Sequence, residues 1–138
     1  MKEVLSFFRK VQRKTMSSIL VVDDEQPVCD MIKDMLEPAG YDVTSTLSAS
    51  QALSIFKESA RDLIITDMVM PETTGIDLIM KIKEMEPSVK ILAISGGGGI
   101  NGRFDYLAVA ELLGAKSILK KPFSLSDLRS KVKEVLEA

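Results

Sequence analysis

The chain has 138 residues, a formal net charge of −2, 46% hydrophobic and 28% charged residues. That length holds one domain with a real core and is too short for two ordinary ones, and the composition is that of a soluble globular protein. There is no histidine, which excludes a Ser-His or Cys-His catalytic pair and a histidine metal site.

The single cysteine, Cys29, excludes an internal disulfide and fits a reducing, cytoplasmic location. No apolar run approaches the roughly 20 residues that span a bilayer. The charge is uneven. Residues 1–17 carry Lys2, Arg9, Lys10, Arg13 and Lys14 against Glu3, a net +4, so the remainder carries −6. A mildly acidic body argues against direct nucleic-acid binding.

In chain order, residues 1–17 read as an N-terminal basic extension and residues 18–138 as the folded domain. In the extension Val4, Leu5, Phe7, Phe8 and Val11 intermix with the cations. That pattern suits a short amphipathic helix docking on a partner or, as the less favoured reading, on anionic lipid. It lacks the apolar core and cleavage site of a signal peptide.

From Ser17 onward strand and helix alternate five times. The first strand is read as Ser18–Asp23 and the first helix as Gln26–Pro38. Pro27 opens that helix, Gly40 follows it, and Val28, Met31, Ile32, Met35 and Leu36 form its apolar stripe. The second strand is Asp42–Leu47. Ser48-Ala49-Ser50-Gln51 then makes a capping box for a helix burying Ala52, Ile55 and Phe56. The third strand is Asp62–Thr66, and a helix after Gly75 buries Ile76, Ile79, Met80 and Ile82 before Pro87. The fourth strand is Val89–Ile94, with a helix at Phe104–Leu113 closed by Gly114. The fifth strand is Ser117–Leu119. Ser124-Leu125-Ser126-Asp127 caps a last helix that buries Leu128, Val132, Val135 and Leu136. Continuous apolar strands joined by helical crossovers predict a doubly wound, five-stranded parallel sheet in an α/β/α sandwich.

Three strands stop at charges: Asp23-Asp24-Glu25, Asp67 with Met70-Pro71 behind it, and Lys120-Lys121-Pro122-Phe123. In an open α/β sheet the C-terminal strand ends form the ligand crevice. Carboxylates converging there repel one another, and a hard divalent cation relieves the repulsion. A carboxylate nucleophile attacking phosphorus gives an acyl phosphate, and the transferring group needs positive charge and donors at its oxygens. Lys121 and the Ser95 hydroxyl answer that need. Each motif alone has a bland reading. The Asp pair also serves as a helix cap, Asp67 as a turn start, and Ser95 as a loop residue. Their joint placement at strand ends favours the site.

These residues, with Gly75 before the third helix, resemble the receiver domain of two-component response regulators, the CheY-like superfamily. The resemblance spans about Ser18 to Ala138 and implies strand order 2-1-3-4-5. It implies that Asp67 is the phosphoacceptor. Mg²⁺ (or Mn²⁺) would be bound by Asp24, Asp67 and the Val69 carbonyl, with Asp23 acting through water. Ser95 and Lys121 would contact the phosphoryl oxygens, and the Lys121-Pro122 bond would be cis. Ser95, Gly96 and Ile118 would form the switch toward an output surface. The implied partners are a sensor histidine kinase or histidine phosphotransfer protein and a downstream protein target. The chain would be a monomer or weak dimer. As the last helix closes the sequence, a stand-alone receiver is expected, one that catalyses only its own phosphorylation and dephosphorylation.

The chain departs from the family pattern in three places. Ile118 stands where the family usually has an aromatic residue. The Ser95–Arg103 segment is long and holds Gly96, Gly97, Gly98, Gly99 and Gly102. It lacks the Gly-Lys-Ser/Thr ending of a nucleotide loop and reads as a loop that orders on phosphorylation. Val69 and Gly97 offer no side chain to hold an attacking water, so slow to moderate autodephosphorylation is expected. Two rival readings stand beside the receiver. One is a phosphorylation-independent interaction module of the same fold, which the filled acidic and lysine positions disfavour. The other is an aspartyl phosphatase of the haloacid dehalogenase type, whose nucleophile ends the first strand and is followed two residues later by another acid. The placement of Asp67 on the third strand does not suit it. Cys29 reads as a packed, inert thiol.

Overall fold

The computed structural model describes residues 2–5, 16–70, 74–96 and 105–138. Five strands, β1 (Ser18–Val22), β2 (Asp42–Thr46), β3 (Leu63–Asp67), β4 (Lys90–Ser95) and β5 (Ser117–Lys120), alternate with α1 (Gln26–Leu36), α2 (Ala49–Glu58), α3 (Gly75–Met85), α4 (Tyr106–Leu112) and α5 (Leu125–Glu137). The strands are parallel in the order β2-β1-β3-β4-β5, as expected. Residues 2–5 have helical backbone, and Val4 and Leu5 are exposed.

The central strands carry continuous apolar runs because both faces of the sheet are covered. Ile19, Val21, Leu63, Ile65, Leu92 and Ile94 pack with α1 and α5 on one face. Leu20, Val22, Ile64, Ile91 and Ala93 pack with α2, α3 and α4 on the other. Each side chain taken fully out of water contributes on the order of 2 kcal/mol, so these rows dominate the stability of the sheet. They also fix its register, since a slip of one residue would exchange the two faces.

Local chemistry sets the element ends. The Ser48 hydroxyl accepts the Gln51 N–H, and the Ser124 hydroxyl accepts the Asp127 N–H, as the capping motifs predict. The first helix is shorter than expected. It ends at Leu36, and Glu37–Ala39 form a 3-10 turn closed by Gly40 at φ 97°. Pro38 has no N–H for a helical bond and disfavours helical backbone at the residue before it. The third helix corrects another expectation. Gly75, Leu78, Ile79 and Ile82 are its buried residues, whereas Met80 is 55% exposed and Ile76 only partly buried. At about 100° per residue, Met80 points away from the seam that Leu78 and Ile82 define. Ile55 and Leu136 are likewise half-buried at the margins of their helices. The fourth helix begins at Tyr106, capped by the Asp105 carboxylate. The expected start at Phe104 and the glycines 97–99 and 102 lie outside the described residues.

Candidate functional site

The C-terminal edge of the sheet gathers the charged residues. Asp23 follows β1, Asp67 is the last residue of β3, Ser95 is the last of β4, and Lys121 follows β5. Asp67 belongs to the strand rather than following it, paired with Ile94. Asp23 and Ser95 are fully buried and Asp67 is 5% exposed. Asp24, beside Asp23, is the most accessible of the three acids. One carboxylate oxygen from each of Asp23, Asp24 and Asp67 lies within 4.8 Å of the others.

Lys121 closes this cluster. Its Nζ lies 2.8 Å from Asp23 Oδ2 and 3.6 Å from Asp67 Oδ1. Its backbone N–H donates to the Ser95 carbonyl at 2.8 Å, which ties the ends of β4 and β5 together. The Lys121-Pro122 peptide bond is cis, as expected. Burial works against the ammonium, yet the Asp23 hydrogen bond and the charges of Asp67, Asp23 and Glu25 outweigh it and raise its pKa.

Asp23 is held at every polar atom that the geometry reaches. Its N–H donates to the Thr46 carbonyl at 3.2 Å. Its Oδ1 accepts the Glu25 N–H at 2.9 Å, and its carbonyl accepts Cys29 Sγ–H at 3.4 Å. Burial pushes the Cys29 thiol up to about 11, with the Asp23 charge adding to the effect, so the thiol is protonated and inert as expected.

Asp67 is placed by its own neighbours. The Met68 N–H donates to the Ile94 carbonyl, and the Gly75 N–H donates back to the Met68 carbonyl. The buried Thr66 hydroxyl donates to the Asp67 carbonyl at 2.9 Å. Gly75 is required by close approach. A Cβ there would lie 2.6 Å from the Asp67 carbonyl oxygen and 2.9 Å from Met68 Cα. Val69 forms an antiparallel bridge with Thr74, and its N–H donates to the Asp67 carboxylate. Burial raises the Asp67 pKa from 3.8 to about 6; the Asp23 and Asp24 charges add to this, and Lys121 and the Val69 N–H only partly offset it.

An all-oxygen donor set with a carboxylate forced toward its neutral form suits a hard divalent cation such as Mg²⁺. Asp24 and Asp67 would hold it, with the Val69 carbonyl a third candidate and Asp23 behind. Ile118 lies elsewhere. It is half-buried on β5 and lines a groove of about 710 Å³ with Leu107 and Leu112 of α4. Gly96 is exposed beside Lys121, whose Cδ is 4.0 Å from where a Cβ would stand.

Reading the sequence missed Thr46, Gln51 and Thr66. Thr66 carried a signal, being a hydroxyl inside a largely apolar strand next to Asp67. Thr46 and Gln51 did not, because the capping motif already accounted for Gln51.

Comparison with known proteins agrees with this geometry. The family model of the response regulator receiver domain matches residues 19–133. The phosphate regulon transcriptional regulatory protein PhoB of Pseudomonas aeruginosa is 34% identical over 121 residues, covering 86% of this chain and 51% of that protein. The DNA-binding transcriptional regulator NtrC of Azospirillum brasilense is 35% identical over 122 residues, 88% of this chain and 24% of that protein. This chain therefore spans about half or less of the length of these relatives. A receiver domain protein from Clostridium thermocellum superposes with TM-score 0.80 at 32% identity, covering 88% of this chain and 95% of that one. The chemotaxis protein CheY4 of Vibrio cholerae gives 0.77 at 25% identity, over 87% and 98% of the two chains. On the match over residues 19–133, the chain belongs to the response regulator receiver domain family of two-component signalling.

Proposed function

We propose that Asp67 accepts a phosphoryl group from a partner phosphohistidine in a Mg²⁺-dependent reaction, and that the phosphorylated domain signals by contact with a protein target or relays the group onward. The observation that carries this reading is the ammonium of Lys121, held at 2.8 and 3.6 Å from two buried carboxylates at a strand-end crevice. An Asp67 carboxylate oxygen forms the new O–P bond while the P–N bond to the donor imidazole breaks. The imidazole nitrogen leaves with the bonding pair and takes up a proton. Lys121 supplies positive charge to the phosphoryl oxygens, and the Ser95 hydroxyl is the proposed second donor. Asp24 and Asp67 would hold the cation, which would supply positive charge to the acids and to the transferring group.

Phosphorylation adds charge and acceptor oxygens at the edge where β4 and β5 end. The tie between the Lys121 N–H and the Ser95 carbonyl gives that change a route into Gly96 and the connection to α4. Ile118 lines the α4–β5 groove and would transmit it to a partner there. The acyl phosphate is expected to outlast seconds, because Val69 offers no polar side chain to an attacking water. Residues 1–17 are assigned as an extension distinct from the receiver at 18–138, and the protein is assigned to the cytoplasm. Among the described residues no helix is long and apolar enough to cross a membrane.

Intact-mass measurement after incubation with an acyl phosphate donor tests the reading. It predicts a gain of one phosphoryl group that requires both Mg²⁺ and Asp67 and is lost in Asp67→Asn. No gain from the small donor or from a panel of phosphorylated histidine kinases, in folded protein, would leave the phosphorylation-independent module.

A further inference from the structure

Gln51 does not do what its position predicts. In a capping box the residue three after the cap turns its side chain back to the cap N–H. Here the Ser48 hydroxyl accepts the Gln51 N–H at 3.2 Å, so the cap is made from Gln51's backbone. The Gln51 side chain instead reaches the end of β2, where its Oε1 accepts the Thr46 hydroxyl at 2.7 Å. The bond joins an exposed glutamine to a threonine only 6% exposed.

Thr46 sits one hydrogen bond from the acidic cluster. It is the last residue of β2, opposite Val22. Its carbonyl accepts the Asp23 N–H at 3.2 Å, one residue beyond the end of β1. The same carbonyl also lies 3.8 Å from Cys29 Sγ, whose nearer acceptor is the Asp23 carbonyl at 3.4 Å. The backbone on both sides of the Asp23 Cα therefore depends on where Thr46 lies. β2 is an edge strand paired only with β1, and the end of an edge strand is where a sheet frays most readily. The α2 helix, begun at a sound cap, is a firm support for it.

We propose that Thr46 and Gln51 are positioning residues for the cation site. Gln51 anchors Thr46 to α2, and the Thr46 carbonyl sets the height and direction at which Asp23 and the adjacent Asp24 face Asp67. The inference rests on the receiver reading, since it concerns the same cation. Supports of this kind behind a metal ligand typically change metal affinity by 10- to 100-fold when removed.

The test is calorimetric titration of Mg²⁺ into the metal-free full chain for wild type, Gln51→Leu, Thr46→Val, the double variant and Thr46→Ser, beside metal-free thermal unfolding. The expected result is Mg²⁺ binding weakened about tenfold in each single variant, at the lower end of that range. The double variant should be no weaker than the worse single one, and Thr46→Ser, which keeps the hydroxyl, should restore binding. A merely structural pair would lower the metal-free Tm and leave Mg²⁺ affinity unmoved. Affinities within twofold of wild type in Gln51→Leu overturn the proposal, and because Gln51 is exposed that variant folds even where Thr46→Val does not. No Mg²⁺ binding by folded wild type overturns the receiver reading itself, and the positioning role falls with it.

Discussion

Asp67 is a carboxyl whose ordinary behaviour is altered by where the chain puts it. Its pKa rises from 3.8 to about 6, chiefly through burial and then through Asp23. A group whose folded-state pKa is raised adds most to stability below its unfolded pKa and loses that contribution as pH rises through the folded value. Metal-free protein is therefore expected to lose stability between about pH 4 and pH 6 by an amount that Asp67→Asn does not lose. At pH 7 that variant is expected to be more stable than wild type by about 3 kcal/mol while accepting no phosphoryl group. Denaturant unfolding of both proteins in a chelator, across this pH range, checks the sign. Lys121 gives the complementary case. Lys121→Met leaves Asp23 buried without its ammonium, which is expected to cost about 3 kcal/mol of metal-free stability. It should slow phosphorylation from an acyl phosphate donor about 100-fold. A variant with unchanged unfolding would show that Asp23 does not depend on Lys121.

Among the elements, α3 supplies two tests. Gly75→Ala drives a Cβ into the Asp67 carbonyl and the Met68 backbone, neither of which is a flexible side-chain end. A loss of about 2 kcal/mol is expected, with slower phosphorylation, because the colliding atoms belong to the segment that aims Asp67. The corrected seam makes the second test. Leu78→Ala is expected to cost about 3 kcal/mol and Met80→Ala under about 0.5 kcal/mol, measured by urea unfolding. The contrast also shows what the sequence made legible. β1, β3 and β4 could be read because strands covered on both faces are continuously apolar. The capping serines and Gly40 could be read because their roles are local. The choice between Leu78 and Met80 was not local. Both are apolar, and only the packing of α3 against the sheet decides which one turns inward. Pro38 was read as the end of the first helix when it ends the helix before itself. In the site, Asp23, Asp24, Asp67 and Lys121 could be read from strand-end placement. Gln51 could not, because one side chain had two local uses and the edge strand took it.

At the scale of the whole molecule, the two apolar faces stabilise the sheet while its C-terminal edge works against it. One carboxylate oxygen from each of three acids lies within 4.8 Å of the others, with Asp67 pushed toward its neutral form, and on the proposed reading a cation joins them. Mg²⁺ is therefore expected to raise the Tm of wild type in proportion to the logarithm of its concentration once it exceeds the dissociation constant. The rise should be smaller in Asp67→Asn and smaller again in Asp24→Asn. A differential scan over a range of Mg²⁺ concentrations measures it, and an equal rise in all three proteins would place the cation elsewhere.

The contact between Lys121 and Asp23 joins residues 98 positions apart. The acids of β1 and β3 are in place early along the chain, but their counter-charge arrives only with the fifth strand. A chain lacking β5 would carry Asp23 and Asp67 without the ammonium that the proposed reading requires. On the proposed reading, taking the phosphoryl group at full rate therefore requires the fifth strand to be in place, so the rate of the reaction reports closure of the whole sheet.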